Sequence, residues 1–171
     1  PDKRALVWCG SDNQEKIFSF EDVRRSSNRM ANLFRRAGIG RGDRVMLVLK
    51  RHYEYWFAAI ALHKLGAVMI PVTHMLTTAD FVYRMKAAPM KAIVCTCQNE
   101  VPSKIRQALK ESGIHAKLWC AQGDAEGFEN LNEAMEKENE EFARVETLAS
   151  EPMLLYFTSG TTGYPKGVIH D

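Results

Sequence analysis

The densest group of side chains able to do chemistry lies near the carboxyl end of the sequence. Four hydroxyl residues, two glycines and a lysine occur in the run Thr158-Ser159-Gly160-Thr161-Thr162-Gly163-Tyr164-Pro165-Lys166. Glycine lets backbone N–H groups approach an anion closely, and successive N–H groups in a turn form an anion-binding concavity. Hydroxyls add donors with rotatable hydrogens, and lysine adds a compact positive charge. The run therefore predicts a loop that binds phosphate groups.

This loop differs from the Walker loop, in which G-x-x-x-x-G-K-[ST] leads into a helix. Counting from Gly160, Pro165 stands at the second glycine and Gly167 stands at the hydroxyl that would bind Mg²⁺. Residues 168–170 favour a strand, so hydroxyl side chains are expected to replace the dipole of a helix N-terminus. The competing interpretation is an ordinary Gly/Thr-rich hairpin turn that displays a surface lysine.

Strands and helices alternate along the residues that precede the loop. Hydrophobic patterning predicts strands over residues 44–49, 68–72, 91–95, 116–120 and 153–157. Helices are predicted between the first four of these strands, ending at Gly66, Pro89 and Gly113. Because short connections join the alternating elements, the predicted fold class is α/β, with a parallel sheet and helices on both faces.

The first forty residues predict a hairpin followed by an amphipathic helix. Residues 5–9 and 16–20 have strand patterns and flank a turn-rich sequence. Ser19 and Asp22 have the spacing of a capping box, and Gly38 provides a left-handed stop.

A later helix, residues 53–65, is apolar nearly all round and is predicted to be buried between layers. Trp56 and Met75 are expected in the core rather than along a substrate tunnel, because aromatic and methionine residues in apolar runs are usually buried. The histidines before the loop have no carboxylate or cysteine partner at useful spacing, and no role is predicted for them: His52, His63, His74 and His115.

Charge is unevenly distributed. Residues 1–123 hold 20 basic and 10 acidic side chains, a net +10, whereas residues 124–151 hold 2 basic and 10 acidic, a net −8. A basic body is compatible with nucleic-acid binding, but the arginines of the first helix lie opposite its apolar stripe and predict a solvated face: Arg24, Arg25, Arg29, Arg35 and Arg36. The acidic stretch predicts one exposed helix around Leu131 and Met135, then a surface connection.

Length and composition favour one soluble globular unit. The 171 residues are 46% hydrophobic, and the longest apolar run, residues 55–62, is far shorter than the roughly 20 residues of a membrane span. No secretory signal pattern is present at the start of the sequence. The cysteines lie in or beside apolar runs and predict buried, reduced thiols in the cytoplasm rather than a zinc site: Cys9, Cys95, Cys97 and Cys120.

Residues 156–167 resemble the phosphate-binding signature of the adenylate-forming, or AMP-binding, superfamily. That superfamily includes acyl-CoA synthetases, luciferase-like enzymes and peptide-synthetase adenylation domains. Residues 18–23 resemble the segment that opens its first helix, and residues 62–72, LHKLGAVMIPV, resemble its buried helix-to-strand passage. The residues most similar to the short- and medium-chain acyl-CoA branch are Tyr156, Phe157, Tyr164 and His170. The resemblance implies the front part of the large N-terminal domain of an acyl-CoA synthetase-like fold.

The resemblance also implies a two-step ligase reaction. A carboxylic acid attacks the α-phosphate of ATP, pyrophosphate leaves, and coenzyme A then takes the acyl group, with Mg²⁺ bridging the phosphates. The whole loop from Thr158 to Lys166 is expected to bind the ATP phosphates, with Lys166 catalytic because it neutralises charge on the leaving pyrophosphate. His170 lies either near a pocket or packed against the sheet. No residue of this chain is expected to bind metal directly.

Residues 1–171 are predicted to be a single partial domain whose C-terminal domain lies beyond Asp171, and the chain alone is predicted to be inactive. Three alternatives remain open from the sequence. They are an adenylation enzyme with another acceptor, of the aryl-CoA or peptide-synthetase type, a non-catalytic nucleotide-sensing module, and a nucleic-acid-binding domain. The expected partners are small molecules, with no nucleic acid and no membrane span, and the oligomeric state is left open.

Overall fold

The structure, a computed structural model, describes residues 2–10, 13–159 and 163–171. At the amino end, β1 (Arg4–Cys9) and β2 (Glu15–Ser19) pair antiparallel in a two-stranded sheet, as the hairpin prediction requires. The helix α1 (Phe20–Arg36) follows directly. Ser19 and Asp22 form the predicted capping box, and Gly38 adopts a φ of 82° just after the helix ends.

A larger sheet forms the centre of the protein. Within the described residues it has seven strands in the order β7-β6-β5-β3-β4-β8-β9. The strands are β3 (Arg44–Val48), β4 (Val68–Pro71), β5 (Ala92–Thr96), β6 (Lys117–Ala121), β7 (Glu129–Asn130), β8 (Leu154–Thr158) and β9 (Lys166–His170). Neighbouring strands run parallel except β8 and β9, which pair antiparallel. The predicted parallel sheet is confirmed.

Helices cover both faces of this sheet. They are α2 (Glu54–Leu65), α3 (Thr78–Ala87), α4 (Val101–Ser112) and α5 (Leu131–Glu136), in addition to α1. Successive strand residues point to opposite faces, so Val45 and Leu47 pack with α1, α2 and α5 while Met46 and Val48 pack with α3 and α4. The two-sided burial explains why the central strands are continuous apolar runs.

Burial along α2 is less uniform than predicted. Trp56 is 52% exposed, and Met75, in the connection after β4, is 74% exposed, so the expectation that both lie in the core is wrong. Conversely, Glu54 in the first turn of α2 is fully buried. Hydropathy shows that a helix is apolar, but the surrounding elements decide which of its sides they cover.

The arginine face of α1 is not simply solvated. Arg29 pairs with Glu140 at 2.7 Å, and Arg36 pairs with Glu138 at 2.6 Å. The basic helix therefore contacts residues 124–151, the acidic segment. Asn28 also donates to the carbonyl of Glu140, at 2.7 Å. The helix predicted around Leu131 and Met135 exists as α5, but its apolar residues are buried rather than exposed.

The thiols divide into two groups. Cys95 and Cys120 are buried and Cys97 is partly buried, whereas Cys9 is exposed, contrary to the prediction of four buried thiols. Among the described residues, no helix has both the length and the hydropathy needed to cross a bilayer.

Candidate phosphate-binding site

The candidate loop connects β8 to β9 at an edge of the large sheet. Thr158 and Lys166 face each other across the antiparallel pair, and the Thr158 hydroxyl donates to the Lys166 carbonyl at 3.5 Å. The predicted residues Gly160, Thr161 and Thr162 lie outside the described residues. A strand follows the loop, as predicted, so the loop does not lead into a helix N-terminus as a Walker loop does. The antiparallel pairing of β8 and β9 fits both a phosphate-binding loop and a plain hairpin connection.

Most of the described loop residues are open to solvent. Ser159, Gly163 and Lys166 are exposed, and Tyr164 is 70% exposed. Thr158 stands at the carboxyl end of β8, the edge where ligands bind in open α/β sheets. His170, at the far end of β9, is exposed and is paired through its backbone with Leu154. The Thr158 and Ser159 hydroxyls and the Lys166 ammonium are therefore accessible to an anion from the carboxyl edge.

Helix α3 contacts the loop through the Tyr83 side chain. The Tyr83 hydroxyl donates to the carbonyl of Pro165 at 2.9 Å, and the Tyr83 ring stacks on Tyr164 with centroids 5.1 Å apart and planes at 22°. Sequence reasoning missed Tyr83 because its partner lies 82 positions away and no local pattern indicates it. The contact places α3 directly against the residue before Lys166.

Arg84, the next residue of α3, was also missed. It is only 8% exposed, donates through Nη1 to the Asp80 carbonyl at 3.0 Å and lies over the Phe157 ring at 5.3 Å. Its Nε has no hydrogen-bond partner among the described residues. A buried cation thus lies against β8 just before the loop begins.

A second feature, the basic cleft, lies beside the β1–β2 hairpin at the carboxyl ends of β3, β5 and β6. It has a volume of about 940 Å³ and is lined by Trp8, Cys9, Gly10, Gln14, Lys16, Leu49, Lys50, Arg51, His52, Tyr53, His74, Gln98, Gln122 and Asn132. None of these lining residues, all in the described part of the chain, is a carboxylate. Sequence reasoning missed the cleft because the hairpin and the strand ends meet only in the folded chain.

The position of the basic cleft follows from the topology. From β3 the chain moves to β4 on one side and then returns to β5 on the other, so strand order reverses at β3. Such a switch point leaves a crevice at the carboxyl edge where ligands bind in doubly wound sheets. The Trp8 indole N–H donates to the Arg51 carbonyl and ties the hairpin to the strand end.

Buried polar contacts form the floor of the basic cleft. His52 Nε2 lies 2.8 Å from the Thr96 hydroxyl, and both residues are buried. Gln122 and Asn132 donate amide hydrogens to the buried Glu54 carboxylate, at 3.0 Å and 2.7 Å for the shorter contacts. These hydrogen bonds satisfy the oxygens of a buried side chain, whose burial would otherwise be costly, and they fix the carboxyl ends of the strands. In the described ranges, no cluster of three His, Cys, Asp or Glu side chains could hold a metal.

The fold and the loop define the class of protein. The profile of the family described as AMP-binding enzyme matches residues 1–171, and the chain belongs to that family. The superfamily resemblance drawn from residues 156–167 is therefore confirmed.

The chain is also similar to individual proteins of known name and structure. The mouse protein "Acyl-coenzyme A synthetase ACSM3, mitochondrial" is 37% identical over 97% of this chain and 29% of its own length. The chain thus spans less than a third of the curated relatives it matches. A Brucella canis acyl-CoA synthetase structure superimposes with a TM-score of 0.86 at 26% identity, over 98% of this chain and 30% of that one. An anthranilate CoA ligase, AuaEII, gives 0.83 at 19% identity, over 96% and 31%, which shows the fold alone.

Proposed function

We propose that these 171 residues are the front part of the nucleotide-binding domain of an AMP-forming acyl-CoA synthetase. One observation supports the proposal above the others: a hydroxyl-, glycine- and lysine-rich loop lies at the carboxyl edge of a mostly parallel sheet, in a chain of the AMP-binding enzyme family. Relatives at 36–37% identity carry the name acyl-coenzyme A synthetase. The division into one partial domain here and a further domain elsewhere is part of the proposal.

The proposed reaction has two steps. The oxygen of a carboxylic acid attacks the α-phosphorus of ATP, the bond to pyrophosphate breaks, and an acyl-adenylate forms. The thiol of coenzyme A then attacks the acyl carbon, releases AMP and forms the thioester. In the first step Thr158, Ser159 and Lys166 hold the β- and γ-phosphates together with the rest of the loop, and Lys166 neutralises the charge that builds on pyrophosphate.

Catalysis by this loop is electrostatic and positional, because phosphoryl chemistry needs charge stabilisation and alignment more than covalent assistance. By analogy with removing one oxyanion-hole donor, losing one loop donor costs about 3 kcal/mol of transition-state stabilisation. Mg²⁺ enters the proposal as part of the MgATP substrate. Protein sites for Mg²⁺ commonly combine substrate phosphates with few side chains, so most of its ligands would come from ATP and water.

The basic cleft supplies a place for the second substrate. Coenzyme A carries several phosphate groups, and a cleft with Lys16, Lys50 and Arg51 and no carboxylate in its described lining attracts such an anion. Trp8 and Tyr53 add aromatic surface for a planar base. We assign the phosphate-bearing end of coenzyme A to the basic cleft.

The compartment is a separate proposal. The free thiols agree with a reducing compartment. The named relative is mitochondrial, which adds the mitochondrial matrix to the predicted cytoplasm as a candidate compartment. Both compartments are reducing. Cell fractionation with an antibody to the full-length protein distinguishes them.

The test of function uses the full-length protein. With MgATP and short- or medium-chain carboxylic acids, it should catalyse exchange between pyrophosphate and ATP, and should form acyl-CoA once coenzyme A is added. A panel that includes aryl acids separates alkyl from aryl acceptors. The 171-residue chain alone should show no exchange. Absence of exchange by the full-length protein with every acid would contradict the proposal and favour a nucleotide-sensing module.

A further inference from the structure

Helix α3 reaches the phosphate loop through one side chain that no motif predicts. Tyr83 contacts two consecutive loop residues, donating to the Pro165 carbonyl at 2.9 Å and stacking on the Tyr164 ring at 5.1 Å. We infer that Tyr83 is a positioning residue that holds Lys166 in place for adenylate formation. The inference rests on the proposed function and adds a residue to its first step.

The hydroxyl contact acts at the peptide group next to Lys166. The Pro165 carbonyl belongs to the peptide that joins Pro165 to Lys166, so its orientation sets the direction of the Lys166 backbone. Proline fixes φ at that position and leaves few ways for the chain to turn. On the other side, pairing with Thr158 fixes Lys166 against β8. Lys166 is thus held from the sheet and from α3 at once.

Such a hold matters because Gly163, Tyr164 and Lys166 are exposed and the loop sequence contains two glycines. Fixing the backbone of a flexible residue costs conformational entropy. If Tyr83 holds Lys166 before MgATP binds, that residue does not incur this cost on binding and needs less reorganisation in the transition state. The ring stack on Tyr164 adds a second contact, one residue after Gly163.

Helix α3 is a rigid base for this contact. Phe81 and Met85, on either side of Tyr83 in sequence, are fully buried in the core. Thr77 and Asp80 form a complete capping box at the helix start. Arg84 adds a buried contact to Phe157 on β8, so α3 is attached to the same strand that leads into the loop.

Two substitutions separate the hydroxyl from the ring. In the full-length protein, Tyr83→Phe keeps the stack and removes the hydrogen bond, and should lower kcat/KM for MgATP in pyrophosphate exchange about fivefold. Tyr83→Ala removes both contacts and should lower it about 30-fold. Thioester formation from pre-made acyl-adenylate should change less than twofold for both. Lys86→Ala, an exposed change on the same helix, is the matched control and should leave both half-reactions unchanged.

The outcomes distinguish this inference from the proposed function. If Lys166→Ala abolishes exchange while Tyr83→Phe and Tyr83→Ala match wild type, Tyr83 does not position the loop, although the function stands. If Lys166→Ala leaves exchange intact, Lys166 has no role for Tyr83 to support, and the inference fails although the function stands. If the full-length wild type shows no exchange with any acid, the proposed function itself fails. Equal losses in exchange and thiol transfer would show a general structural role and overturn the inference. The stability of each variant is measured by thermal unfolding. If Tyr83→Ala does not fold, Tyr83→Phe alone still tests the role of the hydroxyl.

Discussion

Arg29 and Glu140, which lie 111 positions apart in the sequence, form an ion pair of 2.7 Å between the basic face of α1 and the acidic segment. Besides this ion pair, side chains of α1 form hydrogen bonds with backbone carbonyls of the acidic segment. Asn32 donates to the carbonyls of Asn139 and Glu141, at 2.8 Å and 2.9 Å. Two oppositely charged blocks of sequence therefore neutralise each other, which removes the main argument for a nucleic-acid surface on α1.

The contacts between α1 and the acidic segment should differ in strength according to their burial. Glu140→Gln weakens a half-exposed ion pair and should lower the free energy of unfolding by less than about 1 kcal/mol. Asn28→Ala removes a buried amide that binds the Glu140 carbonyl and accepts from Lys64 at 2.6 Å, and should cost about 2 kcal/mol. Urea unfolding at low salt and at 1 M salt measures both. The effect of Glu140→Gln should shrink with salt while that of Asn28→Ala persists, and the reverse pattern would contradict the assignment.

Lys166→Ala in the full-length protein should lower adenylate formation about 100-fold, because the charge on the leaving pyrophosphate loses its cation. Transfer of the acyl group from pre-made acyl-adenylate to coenzyme A should change far less, since pyrophosphate has already left. Single-turnover assays of the two half-reactions provide the measurement. A similar loss in both steps would show that Lys166 does not act on the first step alone.

The capping box of α3 should make stability depend on acid. Hydrogen bonds from the Thr77 side chain and backbone lower the pKa of Asp80 below its ordinary value of 3.8. A lowered carboxyl pKa stabilises the fold while the group is ionised, so the benefit is complete above the ordinary pKa and is lost as pH falls through the folded-state pKa.

Asp80→Asn should therefore lower the free energy of unfolding by about 1 kcal/mol at pH 7. The difference from wild type should narrow as the pH falls below 4. Urea titrations at pH 7, 4, 3 and 2 measure it. Asp22→Asn, in the equivalent box of α1, should behave in the same way because Ser19 lowers the pKa of Asp22 similarly. A constant difference across the pH range would mean that the carboxylate charge plays no part.

The basic cleft should lower KM for coenzyme A relative to KM for pantetheine, which has the same thiol and no phosphate. Lys50→Ala and Arg51→Ala should each raise KM for coenzyme A about fivefold and leave KM for MgATP unchanged. KM for pantetheine should not change. A control at the exposed Lys110 on α4 should have no effect on any substrate. If both cleft variants raise KM for coenzyme A and pantetheine alike, the phosphate assignment is wrong.

Local features of the sequence predicted most of the fold. The capping box at Ser19 and the left-handed glycines Gly66 and Gly113 lie where the sequence placed helix ends. These signals depend on a few neighbouring residues, so they need no knowledge of the tertiary structure. The same is true of the loop motif, because Thr158 to Lys166 are contiguous. Its assignment as a phosphate site stays a prediction until Lys166 is tested.

Contacts between distant residues were beyond such reasoning. Trp56 was expected in the core, yet it is exposed, because hydropathy does not reveal which side of α2 its neighbours cover. Arg29 was expected in solvent, but a segment more than a hundred positions away pairs with it.

The sequence by itself determined the alternation of strands and helices, where the helices begin and end, and the presence of one hydroxyl-rich loop, since each depends on short-range periodicity or capping. Only the tertiary structure decided that Tyr83 lies under Pro165, that Glu54 is buried behind a basic cleft, and that the acidic segment covers α1. The physical reason is that partner choice between remote side chains depends on how the sheet orders its strands, and no local pattern encodes that order.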